Sequence, residues 1–231
     1  MQGQEFLPAI AAHLLDSARA NGGKAPSERH LAEHFSVSRG QVREALAILE
    51  AMQVISRRAK SGIYVNTDWS GIEAMAFFAR AGLPLENRQI YEAVEVRKIH
   101  EIKAAELAAG RATEENFERL QDILERSEKR IAAGEGIDAL DQEFHLEIVR
   151  ATQNTLFLNI CNAFYELGQQ RLKVYFRDPE RNRKSHEEHK QIYDALLKRD
   201  AALASALMVS HLRGAMSYWS EILEPANAPD A

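Results

Sequence analysis

The sequence predicts a mainly α-helical chain in two parts: three helices closed by a β-hairpin, then a longer stretch that is helical throughout. Three observations predict it. Apolar residues recur at helical spacing over most of the 231 residues. Convincing β-prone runs occur only around residues 54–66. Gly, Pro and Asn-Gly breaks divide the helical pattern into segments of ordinary length.

The first helix is expected over 4–20, where Phe6, Leu7, Ile10, Leu14 and Leu15 share a face and Asn21-Gly22-Gly23 ends it. A short second helix follows the expected N-cap Ser27 and carries Leu31, Ala32 and Phe35. Phe35-Ser36-Val37 is a turn. Ser38 then starts a third helix, and Gln41 three residues on completes an S-x-x-Q capping box. Val42, Ala45, Leu46 and Leu49 form its buried stripe, which leaves Arg39 and Arg43 one turn apart on the outer face. Val54–Arg58 and Ile63–Asn66 flank a basic, Gly-containing turn and predict a hairpin. A linker is expected near 67–71. Seven helical segments follow, over 71–81, 87–109, 114–133, 137–152, 155–176, 181–198 and 200–222, with 225–231 a disordered tail.

The single cysteine, Cys161, excludes an internal disulfide framework and suits a reducing compartment. No apolar run approaches the length of a membrane span, and the N-terminus lacks a signal-peptide pattern. These features predict a cytoplasmic protein without a membrane partner. The formal net charge of −5 hides an asymmetry, because residues 1–66 carry +2 and the remainder −7. Arg29, Arg39, Arg43, Arg57, Arg58 and Lys60 concentrate the positive charge in the first part. An electrostatic footprint for DNA is a local property, so a modest basic face on an acidic protein is compatible with nucleic-acid binding.

Three small helices and a hairpin fit a winged helix-turn-helix, in which the second helix of the motif lies in the major groove. Two arginines at i and i+4 on that helix can both reach base edges or phosphates, since the guanidinium fork bonds guanine O6 and N7 bidentately. The same pattern also fits a plain packing unit with solvated arginines. The residues Pro26-Ser27-Glu28-Arg29-His30-Leu31-Ala32-Glu33 and Val37-Ser38-Arg39-Gly40-Gln41-Val42-Arg43-Glu44-Ala45-Leu46 resemble the GntR family of regulators, and Gly62-Ile63-Tyr64-Val65 resembles the end of that family's wing. The resemblance spans about 25–66. It implies DNA contacts by Arg29, Ser38, Arg39, Gln41 and Arg43, with Lys60 and Gly62 in the wing. The sequence departs from the family pattern at Ala25 (usually Leu), His30 (usually Glu), Gln41 (often Pro) and Lys60 (commonly Gly).

In the second part, Asp141 and His145 stand one turn apart among Ile137, Phe144 and Ile148, which predicts an inward face. His189 lies near Ile192 and Tyr193, and His211 near Leu207, Met208 and Ala215. One carboxylate and three inward imidazoles on three helices fit a divalent metal site in a bundle. Taken singly, an inward histidine is more often a hydrogen-bonded core residue than a ligand. Residues 72–222 are similar to the FadR C-terminal (FCD) type of sensor, through Glu95-Val96-Arg97 to Ala104-Ala105, Asp141-Gln142-Glu143-Phe144-His145, Glu188-His189-Lys190-Gln191-Ile192 and Met208-Val209-Ser210-His211-Leu212. That resemblance implies a bundle of six or seven helices with Asp141, His145, His189 and His211 as metal ligands. Zn is the first expectation, with Ni or Mn as alternatives. Four ligands leave one or two positions for a small carboxylic-acid effector, with Arg97 as a clamp on a second oxygen. Arg97 fits equally as the partner in a surface pair with Glu101. His100 replaces a usual Leu and either tunes ligand choice or packs.

The expected domains are therefore 1–68, a winged helix-turn-helix, and 72–224, an all-helical effector and metal-binding domain. The expected function is transcriptional regulation, by the family tendency repression, in a homodimer on double-stranded operator DNA. Two alternatives remain: a metal-dependent hydrolase, since Asp plus three His is also catalytic geometry, and a regulator whose metal is purely structural.

Overall fold

A computed structural model of the chain describes residues 3–58, 61–66, 74–77, 81 and 87–222. Lys60, most of the expected linker and the 225–231 tail lie outside the described residues. Two compact units are present, Met1–Pro84 and Leu85–Ala231.

The first unit opens with α1 (Gly3–Ala20), α2 (Glu28–Phe35) and α3 (Arg39–Ala51). Helix α1 buries Phe6, Ile10, Leu14 and Ala18, one residue per turn. The Ser27 side chain accepts from the His30 amide at α2, and Ser36 leaves the helix in the left-handed region with φ 54°. With His at that third position, the cap works in one direction only. At α3 the box is complete. Gln41 N donates to Ser38 Oγ at 3.2 Å, and Ser38 N donates back to Gln41 Oε1 at 3.0 Å. Strands β1 (Ile55–Arg58) and β2 (Gly62–Val65) pair antiparallel from Ile55↔Val65 to Arg58↔Gly62. Gly62 has φ +119°, a conformation that residues with a side chain rarely adopt, so the turn favours glycine there. Val42, Leu46 and Leu49 from α3 join Ile55, Ile63 and Val65 in one core, each fully buried large side chain contributing about 1.5–3 kcal/mol.

Of the expected helix over 71–81, residues 74–77 are helical. Ala74 and Phe77 pack into the core of the first unit. The second unit thus begins later than residue 72.

Among the described residues that unit holds six helices: α4 (Asn87–Arg111), α5 (Glu114–Ala132), α6 (Asp138–Arg150), α7 (Thr155–Tyr175), α8 (Pro179–Leu197) and α9 (Ala201–Ile222). Helix α4 is central, packing on α6, α7, α8 and α9. Ala104, Ala105, Ala108, Ala109 and Ala112 are all buried on it, and small side chains let neighbouring axes approach closely. Gly110, an expected break, lies inside α4. Helix α8 begins two residues before the expected 181, because Asp178 caps it and Pro179 at the first turn has no N–H to leave unpaired. No described helix is long and apolar enough to cross a membrane.

Candidate metal centre and nucleic-acid interface

Helices α6, α8 and α9 bring Asp141, His145, His189 and His211 together, with one donor atom from each within 4.8 Å of all the others. The three Nε2 atoms face one another. His145 and His211 are 3.1 Å apart there, and His189 and His211 3.3 Å. Asp141 Oδ1 lies 3.4 Å from His189 Nε2 and 3.8 Å from His145 Nε2. Ligands about 2.1 Å from a common ion sit roughly 3.0–3.4 Å apart in octahedral or tetrahedral shells, so the set is close to closed around one point.

The opposite ring edges explain why this arrangement suits a cation. His211 Nδ1 donates to Glu188 Oε2 at 2.7 Å. His145 Nδ1 lies 2.8 Å from Glu101 Oε2, an ion-pair distance reached too obliquely for a hydrogen bond. At His211 a proton donated from Nδ1 to the Glu188 carboxylate leaves the Nε2 lone pair facing the cluster, the tautomer a metal ligand requires. At 3.1 Å the His145 and His211 Nε2 atoms can share a proton or a cation. His189 stacks on Phe144 at 4.1 Å between ring centroids. Burial, and then His211 and His145, hold its pKa well below the ordinary histidine value. Both causes favour the neutral ring, the form that ligates a metal. Ser185 Oγ steadies Asp141 with a 3.1 Å bond to Oδ1.

Behind the ligands, Glu101 is 1% exposed and serves three partners. Its Oε1 accepts from Arg97 Nε at 2.5 Å and from the Tyr165 hydroxyl at 2.5 Å, while Oε2 faces His145. Burial alone would raise the Glu101 carboxyl; Arg97 and His145 override it and hold it well below the usual carboxylate range. The Tyr165 hydroxyl is pushed far up, by burial first and Glu101 second. The Arg97–Glu101 contact is therefore a part-buried ion pair, with Glu101 enclosed and Arg97 22% exposed, and not a surface pair. Arg97 Nη2 stands 3.9 Å from Asp141 Oδ2, on the approach to the ligand cluster. His100 is buried beside Phe157, Phe164 and Tyr165, and burial depresses its pKa.

On the first unit, Arg39 and Arg43 are exposed on the face of α3 away from the core. Arg43 Nε donates to Glu28 Oε2 at 2.8 Å. Arg57 on β1 lies 3.8 Å from the same carboxylate and 3.1 Å from Glu50. Arg29 is 3.8 Å from Glu33. Arg58 lies over the Tyr64 ring at 4.3 Å, so the wing strands display two guanidinium groups beside α3.

The profile of bacterial regulatory proteins of the gntR family matches residues 8–65, and that of the FCD domain matches 92–214. The chain is 34% identical to the HTH-type transcriptional regulator LutR of Bacillus subtilis over 196 residues, covering 83% of this chain and 89% of LutR. This protein belongs to the GntR family of bacterial transcriptional regulators, with an FCD domain. The GntR regulator is also 29% identical to the Uxu operon transcriptional regulator of Escherichia coli, over 90% of its own length and 82% of that protein's. Among solved structures, the Listeria monocytogenes regulator Lar matches with a TM-score of 0.65 at 20% identity, covering 94% of this chain and 97% of Lar. E. coli McbR/YncC matches at 0.57 and 16%, covering 96% of each chain. Both share its fold.

In this GntR regulator all four expected metal ligands converge, and Arg97 lies beside them. Arg29, Arg39, Arg43, Ser38 and Gln41 lie on or at the start of α2 and α3. The carbonyl end of Gln41 is committed to the cap, receiving both the Ser38 amide and its hydroxyl. Sequence reasoning gave no supporting role to Glu28, Tyr165, Ser185 or Glu188, and cast Glu101 only as a surface partner. A signal existed for Glu188, a charged residue directly preceding an inward histidine. None existed for Tyr165, whose hydroxyl meets Glu101 across 64 residues of sequence.

Proposed function

We propose that this GntR regulator binds a pseudo-palindromic operator as a homodimer in the cytoplasm and represses transcription. A small carboxylic acid at a divalent ion in its FCD domain controls operator affinity. The observation that carries the sensor half is the convergence of three Nε2 atoms and one carboxylate oxygen, one ring hydrogen-bonded to Glu188 behind it and another facing Glu101 at 2.8 Å.

Asp141, His145, His189 and His211 would hold the ion, with Zn favoured by three imidazole donors. When bound, the ion supplies a positive centre that accepts a carboxylate oxygen. Arg97, fixed through Nε by Glu101, offers its Nη groups to a second oxygen. Asp141, His145 and His189 are buried, and a low-dielectric setting strengthens such contacts. On the operator, Arg39 and Arg43 read base edges or phosphates, with Arg29, Ser38 and Gln41 at the groove wall and the wing residues Lys60 and Gly62 along the adjacent backbone or minor groove. Release of DNA requires only that the DNA-bound arrangement bind the acid less well, and a coupling of about 1–3 kcal/mol is typical.

Two measurements test the proposal. Elemental analysis of purified protein should find about one divalent ion per chain, lost in the His145→Ala/His189→Ala double variant. Gel shifts with duplexes selected from a random library should show operator binding that weakens when the matching acid is added to metal-loaded protein. Wild type without metal, or acid binding indifferent to the double substitution, would overturn the metal-anchored pocket. Undiminished DNA affinity in both Arg39→Ala and Arg43→Ala would overturn the recognition helix.

A further inference from the structure

Glu28 occupies an unusual place for a carboxylate on a surface meant for DNA. It is the first residue of α2, yet its side chain reaches across to α3 and towards β1. Oε2 accepts from Arg43 Nε at 2.8 Å, and Oε1 lies 3.8 Å from Arg57 Nη1. The carboxylate is the better buried member of the pair with Arg43, its side chain 29% exposed against 65%. As a contribution to stability an exposed ion pair of this kind is weak. As a negative charge facing a phosphate backbone it also opposes DNA binding. Its value must lie elsewhere.

The atoms involved suggest where. Glu28 bonds the Arg43 guanidinium through Nε and leaves the Nη pair available for another acceptor. A guanidinium has a rigid planar fork, so fixing one edge fixes the direction of the other. The edge left over can bond guanine O6 and N7 bidentately. A free arginine on an exposed helix samples many rotamers and loses that freedom on binding. A buttressed one has already lost most of it. Arg39, one turn earlier, has no ion-pair partner among the described residues. The two recognition arginines are thus unequal: one is aimed and the other is free to follow phosphates or bases.

We propose that Glu28 is a positioning residue that aims Arg43 at a guanine in each half-site, sacrificing some general affinity for DNA to gain discrimination. This rests on the reading that Arg43 contacts the operator. It makes Arg43 the base reader of the pair and assigns Glu28 no DNA contact of its own.

The proposal predicts opposite changes in two affinities when Glu28 is removed. The probe is the tightest duplex that wild-type full-length protein selects from a random library, together with copies in which each G·C pair is replaced by A·T. Removing the Glu28→Ala carboxylate should raise affinity for unrelated duplex DNA severalfold, because a negative charge leaves the interface. The same variant should lose about five- to twentyfold of the discrimination at one G·C pair per half-site, as an unaimed arginine forfeits much of a bidentate contact. Glu28→Gln, which keeps an acceptor oxygen but no charge, should retain part of that discrimination. In an Arg43→Ala background the Glu28→Ala effect at that pair should vanish, since coupled residues show non-additive changes. A variant that merely unfolds α2 would lose both affinities together, and thermal melts of the full chain identify that case, in which Glu28→Gln carries the test.

The outcomes separate cleanly. If Arg43→Ala leaves operator binding intact, the recognition reading fails and takes this proposal with it. If Arg43→Ala abolishes discrimination at a G·C pair while Glu28→Ala preserves it, the recognition reading stands and the buttress is wrong. If Glu28→Ala strengthens operator and unrelated duplex equally with discrimination intact, Glu28 only competes with DNA for Arg43, which also overturns the proposal.

Discussion

The two functional surfaces of this regulator handle charge in opposite ways. In the FCD domain, Glu101, Asp141 and His189 are each at most 3% exposed, and each is held by partners drawn from separate helices. On the winged helix, Arg29, Arg39 and Arg43 stand in water with at most one partner apiece. The inward site must satisfy its charges before any ligand arrives, because an unpaired buried charge costs several kcal/mol. The outward site can leave its charges to a polyanion that has not yet bound. The difference teaches that the buried FCD cluster is built as part of the fold, whereas the exposed arginines are laid over a core that owes them little.

The largest expected effect follows from that contrast. Glu101→Leu leaves Arg97 and the Tyr165 hydroxyl without their common acceptor in a buried setting. Breaking a buried pair from one side typically costs about 3–5 kcal/mol. Urea denaturation should report a loss of that order, and adding Arg97→Met should recover much of it. Glu28→Ala, at a half-exposed pair, should stay within about 0.5 kcal/mol of wild type. Near-equal costs for Glu101 and Glu28 would erase the distinction between the two surfaces.

Metal addition sharpens the same comparison. Any ligand that binds only the folded state stabilises it, by about 2.7 kcal/mol at one hundred times its dissociation constant. Zn should therefore raise the melting transition of wild type and leave that of His145→Ala/His189→Ala unmoved. Glu188→Gln keeps every ligand but weakens the carboxylate that orients His211, and should lower Zn affinity about 10–100-fold by titration calorimetry. Unchanged affinity would show that the ring needs no orienting partner.

How much was legible beforehand follows from the range of the interactions. Asp141 and His145 share a helix, so spacing alone placed them on one face. His189 and His211 were found by their apolar surroundings, which made a metal site one reading of the four residues, and a resemblance then singled them out as ligands. Glu101 was in plain sight beside Arg97, but its burial depends on α6 and α7 folding over α4, which no local pattern reports. Residues 74–77 were assigned to the wrong side of the domain boundary for a similar reason, since helical periodicity says nothing about which core a short helix joins. Caps were legible where the partner lies three residues away, as with Ser38 and Gln41. The Arg43–Glu28 contact spans 15 residues and two helices, and was not.

The cap itself yields a smaller prediction. Ser38→Ala removes the Oγ acceptor of the Gln41 amide and the hydroxyl bond to Gln41 Oε1, leaving only the Ser38 amide on that oxygen. Loss of an N-cap costs typically about 1 kcal/mol. Urea denaturation should show that loss, and loosening Gln41 should reduce operator affinity beyond what the stability change explains. A variant with the cap lost and operator affinity unchanged would confine Ser38 to folding and remove it from the DNA face.

The smallest effect lies where the DNA-binding unit carries buried-site chemistry. His13 on α1 stacks on His34 of α2, their centroids 4.1 Å apart, with Phe35 edge-on to both rings. His13 Nε2 is buried and unpartnered, and burial, then His34 and His30, lower its pKa below 6.5, against a weaker opposing pull from Asp16. A lowered folded-state value means that the unfolded chain takes up the proton first. Stability from this contact is therefore full above pH 6.5, falls as the pH drops from there through the folded-state value, and levels off below it. His13→Phe preserves the stacked ring and removes the titration. Between pH 7.5 and 5.5 the wild-type urea midpoint should fall by more than that of the variant, the gap opening only below about pH 6.5. Parallel profiles for the two proteins would mean that the histidine pair stacks without sensing pH, and that charge burial in this molecule is confined to the FCD domain.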